Sequence, residues 1–200
     1  MNKFFFIRHG STELTGIEIY GRTGEAPLSD LGSAQASRLA DRLAAESIAA
    51  VYSSPQERSL ETARPLADRL GQTIQIAAEL DEVDFGAWTG SKFADLHDDE
   101  RWRAFNTIRS CTRIPNGELI LEVQNRAVRF IERLNNGHRD ASVALVSHGD
   151  VIRAALSYYL GLPLDMMLRF HIDPGSVSIL ELGDEAPAIR CINNTELIYP

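Results

Sequence analysis

The chain has 200 residues and a formal net charge of −8, with 44% hydrophobic and 24% charged residues. This length and composition are typical of one globular domain with a substantial core, and no apolar run approaches the roughly 20 residues of a membrane helix. The acidic balance argues against nucleic acid as the main partner, because binding to phosphate backbones needs clustered positive charge.

Two features of the sequence indicate a cytoplasmic protein. The first three residues are followed directly by an apolar strand, which leaves no room for a signal peptide with a cleavage site. The two cysteines, Cys111 and Cys191, are far apart in the sequence. We expect both to be reduced thiols in or near the core.

The first predicted strand ends in residues that suit a phosphoryl group. Residues 4–7 form an apolar run typical of a strand buried on both faces. Arg8, His9 and Gly10 follow at once, at the strand edge where open α/β sheets bind their ligands. Arg8 supplies a permanent positive charge, and His9 supplies a nucleophilic or acid/base nitrogen. Gly10 allows the backbone to approach a ligand closely, and Thr12 adds a hydroxyl donor.

A glycine-rich segment over residues 16–27 predicts a long loop that lies over this pocket. Arg22 within it is a candidate for contacting substrate, although a solvated arginine explains it equally well. A helix follows, with Ser29 as its N-cap and with Leu31 and Leu39 on its apolar face.

Residues 48–52 predict a second buried strand, which ends in polar residues and leads into a helix that begins near Ser54. Arg58 lies in the first turns of this helix, beside the same sheet edge. When this segment is taken alone, a surface arginine that pairs with Glu57 or Glu61 is the favoured explanation.

An acidic segment follows a short alternating strand at residues 73–77. It contains four carboxylates within six positions: Glu79, Asp81, Glu82 and Asp84. An acidic loop and a metal site are both alternatives here. No histidine or further oxygen ligand lies nearby at a recognisable spacing, so we predict no metal.

Residues from about 91 to 117 are polar, aromatic and helix-rich, without the pattern of a core strand. We interpret them as an insertion over the active site that sets substrate specificity. An amphipathic helix over about 118–135 follows, for which Glu118 is either a cap or a ligand contact, and we favour the cap.

Residues 141–146 repeat the pattern of the first strand, because an apolar run again ends in a histidine and a glycine. Ser147 and His148 are adjacent on a strand and point to opposite faces, so they do not form a nucleophile–base pair. His148 and the N–H of Gly149 better suit an oxyanion-binding role at a helix N-terminus.

The alternation of strands and helices, closed by a strand pair at 176–182 and 188–193, predicts an α/β fold with helices on both faces of a sheet. Four segments, in order, resemble the histidine phosphatase superfamily, which includes phosphoglycerate mutases and small phosphomonoesterases. The matching segments are Arg8–Gly10, Ser53–Ala63, Glu79–Gly90 and Ser147–Arg153. The resemblance implies a phosphoglycerate mutase-like three-layer α/β/α sandwich with a mostly parallel central sheet, in a single domain over residues 1–200.

The same resemblance implies a phosphomonoesterase that works through a covalent phosphohistidine. His9 is then the nucleophile, and Arg8, Arg58 and His148 hold the phosphoryl oxygens. Glu82 is the proton donor, and we expect the acids around it to help keep it protonated. No metal or organic cofactor is needed.

Four further residues are predicted to contact the substrate: Thr12, Thr15, Arg22 and Gly149. Thr15 lies where many members of the family carry an asparagine that contacts phosphate, and its hydroxyl can still donate. The partner is a small phosphorylated metabolite rather than a nucleic acid or a membrane, and a homodimer is left open.

Two alternative functions remain at this stage. One is a cofactor-dependent phosphoglycerate mutase, although the chain is shorter than typical mutases. The other is a non-catalytic phosphate-binding regulatory domain, which would have no need of Glu82.

Overall fold

The computed structural model describes residues 1–22 and 26–195, and these contain a sheet of six strands. The strands are β1 (Asn2–Arg8), β2 (Ile48–Ser53), β3 (Ile74–Ile76), β4 (Ser142–Ser147), β5 (Val177–Leu182) and β6 (Ala188–Asn194). Their order across the sheet is β3-β2-β4-β1-β5-β6. The pairs among the first four are parallel, whereas β5 runs antiparallel to β1 and to β6. The predicted mostly parallel sheet is therefore confirmed.

Helices cover both faces of this sheet. They are α1 (Asp30–Leu43), α2 (Glu57–Leu70), α3 (Phe93–Leu96), α4 (Glu100–Thr107), α5 (Ile120–Gly137) and α6 (Gly149–Tyr159). Alternate side chains of β1 point to opposite faces. Phe5 packs with the buried residues of α1 and α2, whereas Phe6 packs with those of α5 and α6. This arrangement confirms the three-layer fold.

Two predicted features of the helices on the first face can be checked directly. The hydroxyl of Ser29 accepts a hydrogen bond from the Gly32 N–H and caps α1, as predicted. The prediction that Leu31 lies on the buried face of α1 is wrong, because its side chain is 56% exposed. The buried stripe of α1 instead begins at Gly32 and continues through Ala36 and Leu39.

The cysteines are only partly as expected. Both thiols are free, but Cys111 lies exposed in the turn after α4, so the prediction that it belongs to the core or its border is wrong. Cys191 is partly buried on the edge strand β6. Among the described residues, no helix has both the length and the apolar character needed to cross a membrane.

The segment over residues 91–117 contributes α3 and α4. Trp102 of α4 packs edge-on against Trp88, with ring centroids 5.1 Å apart, and lies tilted against Phe93 of α3. These aromatic contacts attach the segment to the loop before it. Glu118 is not the cap of α5, because the N–H of Leu119 is bonded by Glu122 and Glu118 accepts from the backbone of Asp84.

Candidate active site

The carboxyl ends of three neighbouring parallel strands meet at one edge of the sheet. Arg8 of β1 pairs in register with Ser147 of β4, so the next residue of each strand, His9 and His148, lie side by side. Their ring centroids are 5.1 Å apart. Ser54 follows β2 at the same edge, and its hydroxyl lies 2.7 Å from Nε2 of His148. The repeated strand–histidine pattern of the sequence thus produces a pair of imidazoles.

The imidazole of His9 is held as a neutral nucleophile. Its Nδ1 lies 2.7 Å from the carbonyl oxygen of Gly10, which can only accept, so Nδ1 carries the proton and Nε2 has a free lone pair. The side chain is buried, and burial together with the charges of Arg58 and Arg8 lowers the pKa of His9 well below its usual value. The ring of His9 is therefore neutral at neutral pH, with its one proton on Nδ1 and none on Nε2.

Two arginines flank the histidines. Arg58 is only 2% exposed and donates from Nη2 to the carbonyl oxygen of Gly21, which excludes a surface arginine paired along its own helix. Arg8 donates from Nη1 to the carbonyl oxygen of Ile172. Burial lowers the pKa of each guanidinium, and the charge of Glu82 opposes this. Both arginines line a cavity of about 290 Å³ together with His9.

The second imidazole, that of His148, is completely buried. Its Nδ1 lies 3.3 Å from Nη2 of Arg58, which can only donate, so the ring proton resides on Nε2 and is donated to Ser54. The hydroxyl of Ser54 in turn faces Oδ1 of Asp81 at 3.3 Å. This chain of hydrogen bonds fixes the orientation of the ring. Burial and the charge of Arg58 lower the pKa of His148 well below its usual value.

The two carboxyl oxygens of Glu82 have different surroundings. Oε1 accepts from the N–H of Val83 at 2.9 Å, whereas Oε2 lies 3.4 Å from Nδ1 of His148. Burial raises the pKa of Glu82 to about 7, although the charge of Arg58 opposes the rise. Burial, rather than the acids of the same segment, is therefore the main cause of the raised pKa. The charge of Asp150 also raises the pKa of Glu82.

The backbone around Glu82 is held by two arginines. The carbonyl oxygen of Glu82 accepts from Nε of Arg22 at 2.7 Å and from Nη2 of Arg126 at 3.1 Å. Both arginines also pair with Glu118. Arg22 was predicted to contact substrate, but it is not among the residues that line the cavity and instead supports the Glu82 loop.

Family comparison agrees with this geometry. Residues 4–195 match the model of the histidine phosphatase superfamily (branch 1). The chain belongs to the histidine phosphatase superfamily.

Individual relatives extend this result. The bifunctional protein Rv2228c of Mycobacterium tuberculosis H37Rv is 35% identical over 96% of the chain, but the chain spans only 54% of that relative's length. The adenosylcobalamin/alpha-ribazole phosphatase of Escherichia coli K12 is 29% identical, with 96% of both chains covered. The structure of mycobacterial glucosyl-3-phosphoglycerate phosphatase Rv2419c is 25% identical, with a TM-score of 0.84 over 96% of this chain and 98% of that one. These named phosphatases act on different substrates, so family membership leaves the substrate open.

Three of the four predicted substrate contacts line the cavity: Thr12, Thr15 and Gly149. The hydroxyl of Thr15 accepts from the N–H of Thr12 at 2.8 Å. Thr15 therefore shapes the loop after β1 in addition to facing the cavity.

Several residues that line the cavity were not assigned a role from the sequence: Glu18, Asn106, Arg109, Asp150 and Arg153. Phe93 and Trp102, which also line it, belong to the segment 91–117 that was interpreted as lying over the active site. Asp150 and Arg153 lie three positions apart in the helix that follows His148, and this spacing was a signal that could have predicted their pairing. Arg109 had no local signal, because its partner Asp150 lies 41 positions away.

The site also brings together three groups that resemble a metal ligand set. One ligand atom from each of His9, Glu82 and His148 lies within 4.8 Å of the others. However, Nη2 of Arg58 lies 3.3 Å from Nδ1 of His148 and 3.9 Å from Oε2 of Glu82. A guanidinium at this position repels a dication and attracts an anion. The surroundings therefore favour a phosphoryl group.

Proposed function

We propose that this histidine phosphatase hydrolyses a small phosphomonoester through a covalent phosphohistidine on His9. The observation that carries the proposal is the neutral His9 ring, with its free Nε2 beside two arginine side chains. A lone pair in a cationic pocket suits attack on an anionic phosphorus centre. The named phosphatases among the relatives support the same reaction class.

In the first step, Nε2 of His9 attacks phosphorus and the ester P–O bond breaks. Arg8 and Arg58 bind the non-bridging oxygens and offset the charge that develops on them. Glu82, protonated on Oε2, gives its proton to the leaving alkoxide. Its pKa of about 7 leaves a large protonated fraction at neutral pH.

In the second step, water attacks the phosphohistidine and the N–P bond breaks. Glu82 is now ionised and takes the proton from the attacking water. Phosphate leaves, and His9 and Glu82 return to their starting protonation states. Covalent capture thereby replaces one difficult displacement by two easier ones.

His148 becomes a hydrogen-bond donor to the phosphoryl group because its pKa rises when that group binds. In the free enzyme, burial and the nearby arginines keep its pKa low, and Nδ1 is unprotonated. A bound phosphoryl dianion offsets these positive charges and raises the pKa of His148. Nδ1 then binds a proton and donates to a phosphoryl oxygen. The N–H of Gly149 and the hydroxyls of Thr12 and Thr15 are further donors.

The proposal is tested by trapping the phosphoenzyme. Rapid quenching with a ³²P-labelled phosphomonoester should give a label on the protein that is stable in alkali and labile in acid. His9→Ala should lose the label and reduce turnover by up to about 10⁶-fold, the scale expected for loss of a covalent nucleophile. His97→Ala, a change at an exposed histidine, is the matched control.

Near-normal turnover by a folded His9→Ala protein would contradict the mechanism. Turnover that a chelator abolishes and a divalent ion restores would contradict the prediction that no metal is needed. Release of one inorganic phosphate per substrate distinguishes the phosphatase from a mutase. The cytoplasmic location and the homodimer stay predictions.

A further inference from the structure

Three charged side chains form one wall of the cavity, on the side of α6. Nη1 of Arg109 donates to Oδ2 of Asp150 at 2.8 Å, and Nη1 of Arg153 donates to Oδ1 of Asp150 at 2.9 Å. All three residues line the cavity. We refer to them as the Arg109–Asp150–Arg153 cluster. It contains two positive charges and one negative charge, so its net charge is positive.

The interactions of Arg109 place its charge at this wall. The side chain is only 6% exposed, and Nη2 donates to the side-chain oxygen of Asn106 at 2.6 Å. Its guanidinium carbon also lies 4.5 Å from the centre of the Phe105 ring. A buried cation costs free energy unless it is paired and packed in this way. The segment 91–117 therefore supplies a fixed positive charge rather than a solvated one.

Asp150, the carboxylate at the centre of the cluster, is paired with arginines through both of its oxygens. Burial opposes the ionisation of Asp150, but the charges of Arg109 and Arg153 outweigh it and lower its pKa to about 2. Both oxygens accept hydrogen bonds from these arginines. Asp150 therefore acts as a linker that holds two cations at a set spacing, and it leaves one positive charge in excess.

Arg153 connects the cluster to the phosphoryl site. It donates from Nε to the carbonyl oxygen of Phe170 and from Nη1 to Asp150, and within the described residues Nη2 is left without a partner. Nε of Arg8 and Nη1 of Arg153 each lie within 3.5 Å of the point where a Cβ on Gly149 would stand. These two nitrogens are therefore separated by at most twice that distance.

We infer that the Arg109–Asp150–Arg153 cluster binds a carboxylate of the substrate, which makes the substrate class short phosphorylated carboxylic acids. This inference rests on the proposed function, because Arg8 must hold the phosphoryl group. A carboxylate matches the planar donors of an arginine and the single excess positive charge. A second phosphate would bring two negative charges beside Asp150. Because Arg153 lies close to Arg8, the carboxylate of the substrate must lie only a few bonds from the ester oxygen.

The inference is tested with pairs of substrates that differ in the carboxylate. One pair is 3-phosphoglycerate and glycerol 3-phosphate, and the other is phosphoserine and phosphoethanolamine. The readout is the ratio of kcat/KM within each pair, or of Ki against p-nitrophenyl phosphate where turnover is slow. The wild type should prefer the carboxylated member of at least one pair by about ten- to hundredfold, the usual scale for a hydrogen bond to a charged group.

Arg153→Gln should reduce that ratio to near one, because within a pair any general effect on the phosphoryl site cancels. Arg109→Gln, with its fold checked by circular dichroism, should do the same. Arg103→Gln is the matched control, since Arg103 lies on the exposed side of α4. Equal affinity of the wild type for both members of each pair would overturn the inference. A ratio that Arg153→Gln leaves unchanged would also overturn it.

Failure of the proposed function has a different signature. In that case no phosphomonoester, including p-nitrophenyl phosphate, is turned over. Calorimetric titration of the wild type and Arg153→Gln with 3-phosphoglycerate and glycerol 3-phosphate then tests the cluster by binding alone. A selective loss of 3-phosphoglycerate affinity in the variant supports the inference, and parallel affinities overturn it.

Discussion

At the scale of single residues, Glu82 has the most competitors for its assigned role, since three other acids lie in the same segment. The contacts of the other three acids distinguish them from Glu82. Oδ1 of Asp81 is bonded by the side chain of Gln56 and by the N–H of Glu82, and Asp84 accepts from the N–H of Gly86. Glu79 pairs with Arg133 near the surface. Among the four, Glu82 lines the cavity.

Glu82→Gln is expected to affect alkyl and aryl phosphates differently. An alkyl phosphate releases a strongly basic alkoxide, which needs a proton as the bond breaks, whereas an activated aryl phosphate releases a stable phenolate. Glutamine keeps the shape of the side chain but cannot give that proton. Phosphoenzyme formation should therefore slow by about 10²–10⁴-fold on the alkyl substrate and much less on the aryl one. Rapid-quench measurement of the first step is required, because Glu82 also acts in the second.

Asp84→Asn provides the comparison for this variant, because it alters a carboxylate of the same loop outside the cavity. Equal slowing of both substrates by Glu82→Gln would refute the acid role. A selective loss on the alkyl substrate in Asp81→Asn or Asp84→Asn would show that a different carboxylate is the acid.

At the scale of elements, the start of α1 packs directly on the loop that carries the nucleophile. A Cβ on Gly32 would stand 2.0 Å from the carbonyl oxygen of Ser11, and one on Gly10 would stand 2.6 Å from the carbonyl oxygen of Gly32. Gly10 also donates its N–H to Thr62 of α2. Because the carbonyl of Gly10 fixes the proton of His9, helix packing and nucleophile geometry are coupled.

Gly32→Ala is expected to push the Gly10–Ser11 backbone away from α1. Overpacking of this kind costs about 1–3 kcal/mol of stability, and the displaced Gly10 carbonyl should lower kcat more than it raises KM. Urea unfolding and steady-state kinetics measure the two effects. Gly137→Ala at the end of α5 is the control, because no atom of another described part of the chain lies within 4 Å of the added methyl group. Wild-type stability and kcat in Gly32→Ala would contradict the coupling.

At the scale of the whole molecule, the features that could be predicted from the sequence are those determined by residues close to one another in the chain. The apolar runs before His9 and His148 placed both histidines at one sheet edge, because parallel strands end on the same side. The exposure of Leu31 was mispredicted because helical spacing cannot show that Gly32 is the position pressed against the loop. The contacts that Arg22 makes with Glu82 and Glu118 were not predicted, because these partners belong to other segments. The cavity wall around Arg109 depends on long-range packing in the same way.

The protonation of Glu82 also affects the stability of the whole molecule. In the unfolded chain this carboxyl group ionises near its ordinary pKa of 4.5, whereas in the folded chain it keeps its proton up to about pH 7. Between these values the folded chain binds more protons than the unfolded chain. Raising the pH across this window therefore lowers the free energy of unfolding, and the loss is complete above about pH 7.

Glu82→Gln removes this dependence because glutamine does not ionise. The stability of the variant relative to the wild type should therefore rise by about 1–3 kcal/mol between pH 4.5 and pH 7 and stay level above that. The buried histidines His9 and His148 are present in both proteins, so their own pH dependence largely cancels in the difference. Urea unfolding at several pH values measures it, in buffers free of phosphate, because phosphate binding would stabilise the folded state. A difference that does not change with pH would mean that burial leaves the pKa of Glu82 at its ordinary value, and the proposed acid would then be ionised when substrate binds.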